Sequence, residues 1–112
     1  MKLYIPVDGN PAVANFIKVE TYYDLGGMNM FDYTQKKRGY YVRCTPVIRE
    51  MKHGVQMESF TAYSGYKQLC KEVTRQSNKA AAEAEATAKV LYEAMVARIC
   101  RENGLTIKEE AK

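Results

Sequence analysis

One histidine, three cysteines, no glycine-rich phosphate loop and no long apolar run set the first limits on this 112-residue chain. His53 sits in "EMKHG" with no cysteine or carboxylate cluster at metal-ligand spacing, which excludes a local zinc site. It would join a nucleophilic triad only through partners distant in sequence. Cys44, Cys70 and Cys100 are odd in number and widely spaced, which suits neither a disulfide framework nor a zinc knuckle. They are predicted to be small buried hydrophobes. "DLGGMN" has neither the dinucleotide-binding spacing nor a following Lys-Ser/Thr, so no cofactor is expected. No apolar stretch approaches the roughly 18–20 residues of a membrane span, and "MKLYIPVDGN" lacks a signal-peptide core. The expected compartment is the cytoplasm, without membrane association.

The composition is that of an ordinary globular domain, 46% apolar and 27% charged, with no internal repeat or linker. A single domain spanning 1–112 is expected. The net charge of +4 is unevenly spread. Residues 36–79 carry ten cations against three anions, while residues 1–35 and 80–112 are each slightly acidic. The basic middle segment fits an anionic partner.

Ile17, Val19, Thr21, Tyr23 and Leu25 alternate with Phe16, Lys18, Glu20, Tyr22 and Asp24, a period of two that predicts a strand with one core face. "LYIPV" reads as an edge strand or strand end because Pro6 cannot donate to a ladder. A second extended run, Met28 to Tyr33, leads through the loop "TQKKRG" to alternating Tyr40, Val42 and Cys44, a strand that Pro46 interrupts. "VIREMKHGVQMESFTAY" then predicts strand, turn and strand. From Ser64, a candidate N-cap, helix-favouring residues run to Asn103 and Gly104. The predicted stripe is Leu69, Val73, Ser77, Ala80, Ala84, Ala88, Leu91, Met95 and Ile99, with "RQSN" as the one plausible break. The fold class is therefore α+β: an N-terminal antiparallel β-meander of four to five strands over 1–63, then one long or broken C-terminal α-helix over 64–104 packed on the sheet, and a tail over 105–112.

Within "KKRGYYVRC", "RGYYV" invites comparison with the signature of the RNA-recognition motif, which puts two rings on one sheet face for base stacking, but the small residue between the rings is missing. Tyr40 and Tyr41 are adjacent, so a strand sends them to opposite faces and that platform is lost. What remains is a candidate surface for an anionic partner, formed by Lys36, Lys37, Arg38, Tyr41, Arg43, Arg49 and Lys52, with Tyr41 available for stacking. The same cations also suit a hairpin that protects a sheet edge and pairs across strands with Glu20 and Asp24. Leu91, Met95 and Ile99 form the candidate self-association patch.

The order "YYDLGGMNMF", "RGYYVRCTPV", "FTAYSG" and "VTRQSNKA" resembles a loose group of small uncharacterised proteins of phages and conjugative elements in gut bacteria, over residues 3–105. That resemblance implies a mobile-element accessory protein, with a host defence complex among its partners. The preferred reading is a non-enzymatic protein that binds nucleic acid or a ribonucleoprotein. The alternatives are a structural or sequestering homo-oligomer that holds a small anionic ligand, and an enzyme with a site built from Tyr22, Asp24 and His53.

Overall fold

The structure is a computed structural model and describes residues 1–28, 35–61 and 65–108. Its strands are β1 (Lys2–Asp8), β2 (Phe16–Asp24), β3 (Gly27–Met28), β4 (Gln35–Lys36), β5 (Gly39–Lys52), β6 (Val55–Phe60), β7 (Tyr66–Glu72) and β8 (Thr106–Ile107). One helix, α1 (Asn78–Asn103), follows β7. The architecture is α+β, an antiparallel sheet in the order β6-β5-β2-β1-β8 with α1 packed on one face. β2 and β5 pair in unbroken register from Phe16 opposite Val47 to Asp24 opposite Gly39. The hairpin partner of β2 is thus β5 itself. β3 and β4 form a separate two-residue ladder within the connection, and of the predicted run from Met28 to Tyr33 all but Met28 lies outside the described residues.

The helix face of the sheet presents Leu3, Ile5 and Val7 from β1, Ile17 and Val19 from β2, and Tyr40, Val42 and Cys44 from β5. Side-chain size is matched across the layer. Ala80 and Ala84 meet the rings of Tyr40 and Tyr23, while Met95, Val96 and Ile99 fill the space above the smaller Val7, Ile17 and Val19. Ala88 and Ile99 are fully buried. A close-packed core requires this complementarity, because large residues on both layers would force them apart.

Two sequence expectations are corrected. Helix α1 begins at Asn78, with the Ser77 hydroxyl accepting a hydrogen bond from the Ala80 amide at 3.1 Å. Residues 66–72 form β7 instead, pairing with Gly39–Cys44 of β5. Their helix propensity yields because β5 has backbone groups on that edge that need partners. Leu69, Val73 and Ser77 therefore leave the helical stripe, and Ser64 lies outside the described residues. Strand β5 also runs straight through Pro46. Asn15 donates its amide to the Val47 carbonyl, so Val47 faces β2 and the nitrogen of Pro46 faces the opposite edge. There β6 ends opposite Val47 and β7 begins opposite Cys44. The missing donor of Pro46 points at the gap between two edge strands, where no ladder bond is lost. Gly65 closes that gap, and any Cβ on it would lie 1.8 Å from the Cys44 carbonyl oxygen.

Candidate anion-binding face

Among the described residues no helix covers the other face of the sheet. The pairing register places Lys2 beside Glu20, Tyr4 beside Lys18, Phe16 beside Val47, Glu20 beside Arg43, Tyr22 beside Tyr41, Arg49 beside Glu58 and Arg43 beside Lys67, all on this side. The result is a field of rings interleaved with charge. Among the described residues six cations (Lys2, Lys18, Lys36, Arg43, Arg49, Lys67) stand against three carboxylates (Glu20, Asp24, Glu58).

One cluster is anchored by Glu58. Its carboxylate accepts hydrogen bonds from the Tyr4 hydroxyl at 2.7 Å and the Lys18 amine at 3.0 Å. Arg49 lies over the Tyr4 ring at 3.8 Å, with its Nε 3.9 Å from Glu58. Burial pushes the Glu58 pKa up, but the bonds from Tyr4 and Lys18 and the charges of Lys18 and Arg49 outweigh it, so the carboxyl sits below its usual range. Lys18 is raised in turn, chiefly by its bond to Glu58. Where β2 stops, the Asn15 side chain continues its ladder, accepting from the Arg49 amide at 2.8 Å and donating to the Arg49 carbonyl at 2.7 Å.

The second cluster lies at the other end of β2. Tyr22 and Tyr41 stack with ring centroids 5.9 Å apart, with Arg43 over Tyr22 at 4.7 Å and Lys36 over Tyr41 at 5.0 Å. Arg43 is paired with Glu20 at 2.6 Å and Lys36 with Asp24. The bond from Lys36 holds Asp24 below the usual carboxylate range, helped by the Gly26 amide. Among the described residues Lys67 is in no ion pair with a carboxylate. The neighbouring cation Lys36, together with burial and the charge of Arg43, lowers its pKa against the opposing charge of Asp24. Beside it, at the gap between β6 and β7, a depression of about 450 Å³ is lined by Arg43, Thr45, Lys67 and the exposed ring of Phe60.

The candidate residues thus separate into groups. Lys36, Tyr41, Arg43 and Arg49 share the helix-free face, while Lys37 and Arg38 are exposed at its rim. Lys37 lies 3.8 Å from Glu72, and Arg38 donates to the Leu25 carbonyl at 2.8 Å. Lys52 sits apart, at the tip of the β5-β6 hairpin. Tyr41 is corrected from a stacking surface to a support. It is 7% exposed, covered by Lys36, and its hydroxyl donates to the Lys37 carbonyl at 2.6 Å. The Leu91, Met95 and Ile99 patch is corrected as well, because Met95 and Ile99 are buried against the protein's own sheet and Leu91 packs beside them. Tyr4, Phe16, Lys18, Glu58, Phe60 and Lys67 escaped sequence reasoning, since only pairing between strands brings them to one face.

Tyr22 and Asp24 lie near one end of the fourteen-residue strand β5 and His53 lies beyond its other end, so the structure does not bring them together. Among the described residues no group of three or more His, Cys, Asp or Glu converges as metal ligands. The three thiols are unbonded, and burial pushes Cys44 up to about 12. No helix among the described residues is long and apolar enough to cross a membrane. Comparison with protein-family models, curated proteins and solved structures finds no match.

Proposed function

We propose that this is a non-enzymatic binding protein whose helix-free sheet face engages an anionic partner, a nucleic acid or a ribonucleoprotein. The observation that carries this reading is the cationic excess around Lys67. Lys36, Arg43 and Lys67 converge on two carboxylates beside an exposed aromatic ring, and a phosphate fits the charge left over. Phe60, 67% exposed, is the ring on which a base would stack. The resemblance to mobile-element proteins makes a host defence ribonucleoprotein the partner class of choice.

The test is titration of labelled single-stranded and duplex oligonucleotides over a range of salt. Lys67→Ala should weaken binding and flatten the log-log salt slope by about 0.7 for a single strand or 0.9 for a duplex. Phe60→Ala should weaken single-strand binding selectively, by roughly 1–3 kcal/mol. Tyr41→Phe should leave affinity unchanged. No binding by the wild type, or an unchanged slope in Lys67→Ala, would overturn the assignment.

A further inference from the structure

The apolar surface that the helix does not present is found elsewhere. Seven large hydrophobic side chains among the described residues are exposed, and four of them, Met51, Val55, Met57 and Phe60, belong to the β5-β6 hairpin. This hairpin extends past the core. β2 stops pairing with β5 at Val47, and α1 does not reach β6. Beyond Arg49, which Asn15 still holds, and Glu58, which Tyr4 and Lys18 hold, the two strands pair only with each other up to a tight turn in which His53 and Gly54 both take positive φ.

The outer edge of β6 is the end of the sheet. Exposed edges are ordinarily blunted by lysine, proline, a bulge or a covering segment. The sequence "VQMESF" has no proline or lysine, its register with β5 has no bulge, and its one charge, Glu58, is turned to Tyr4 and Lys18. Among the described residues no strand pairs with this edge, and exposed apolar side chains flank it.

We propose that this edge pairs with the same edge of a second copy of the chain. A two-fold axis perpendicular to the sheet generates antiparallel strands and keeps each face on its own side, so opposed residues must share strand parity. Centring the axis on Met57 sets Val55 against Ser59 and Gln56 against Glu58, with the two Met57 side chains in contact. No like charges meet, and Gln56 can donate to the carboxylate opposite. Centring on Glu58 would oppose two carboxylates, and centring on Gln56 would shorten the ladder. The strand is therefore self-complementary in one register. So short an edge buries less than the roughly 1,200–2,000 Å² of a standard interface, which makes the dimer reversible and concentration-dependent. The two helix-free faces would then lie side by side on one continuous sheet.

Sedimentation across a wide concentration range, without nucleic acid, tests the pairing independently of any ligand. The wild type should pass from monomer to dimer. Met57→Lys, at a half-exposed site and with folding checked by thermal melting, should raise the dimer dissociation constant by roughly tenfold or more, because it sets two ammonium groups on the axis. Met57→Cys should cross-link two copies under mild oxidation, since opposed residues in an antiparallel pair have Cα atoms about 4.5–5.5 Å apart. Val55→Cys should cross-link no more than the wild type with its native cysteines. A wild type that stays monomeric at every concentration, including one that captures an extended peptide on β6 instead, would overturn the proposal. So would a folded Met57→Lys that dimerises normally, or a Val55→Cys that cross-links as readily as Met57→Cys.

Discussion

Replacing Glu58 with Gln should lower stability and strengthen anion binding at once, because the same carboxylate holds the face together and neutralises it. Glu58 accepts from Tyr4 and Lys18 and faces Arg49, with the Lys18 side chain only 12% exposed. A Gln oxygen can still accept from one donor, so the change removes about one charge-assisted bond, roughly 1.5–3 kcal/mol. Lys18 can swing its amine toward water, since no helix among the described residues covers this face, which argues for the lower half of that range. For a domain of this size the loss lowers Tm by roughly 6–15 °C. Glu58 is ionised below the usual carboxylate range, so its contribution is complete above the unfolded-chain value of about 4.3 and disappears as pH falls through the lower folded value. The Tm curves of wild type and variant should therefore converge in acid.

On the binding side, the face would hold six cations against two carboxylates, with Lys18 and Arg49 released. Affinity for an oligonucleotide at low salt should rise, with a steeper salt slope of up to about 0.9 per added duplex phosphate contact. The assays are thermal melting by circular dichroism from acid to neutral pH and fluorescence anisotropy well below Tm. A Tm equal to wild type at neutral pH would refute the energetic argument. Weaker binding by a folded variant would refute the placement of the anion site on this face.

Two further predictions concern the scaffold. Ala84→Leu should overpack the contact with Tyr40 and cost about 1–3 kcal/mol, whereas Ala86→Leu, on the exposed side of the same helix, should be nearly neutral by chemical denaturation. Asn15→Ala removes both side-chain bonds to the Arg49 backbone and should cost roughly 1–3 kcal/mol, with faster amide exchange at Arg49 as the local signature.

How much of this was legible follows from which forces act locally. β2 could be read from its period of two, and α1 from its three-and-four spacing, because in each the burial pattern is written along one segment. β7 could not. "YKQLCKE" has the residues of a helix and becomes a strand because β5 offers it an edge, a fact stored some thirty residues upstream. Proline misled in the same way. Pro46 breaks a strand only where its nitrogen meets a ladder, and here it meets a gap that depends on where β6 and β7 end. Tyr41 was correctly sent to the face opposite Tyr40, yet its cover of Lys36 and Tyr22 comes from neighbouring strands.

The charge pattern carries the same lesson to the candidate site. Along the chain, the acidic stretch 1–35 and the basic stretch 36–79 are separate. The antiparallel pairing of β2 with β5 folds one onto the other, setting Glu20 against Arg43 and bringing Asp24 to Lys36. Two of the ten cations, Lys36 and Arg43, are thereby spent on the protein's own carboxylates, as expected of a sheet that lowers its self-repulsion by cross-strand pairing. The excess survives where the arithmetic of strands fails to balance. β7 adds Lys67 on the far side of Arg43, where among the described residues the cations Lys36 and Arg43 outweigh the charge of Asp24. A linear count of cations points to Lys36, Lys37 and Arg38, whereas the topology moves the unneutralised charge to Lys67, and an anion seeking this face would find its vacancy there.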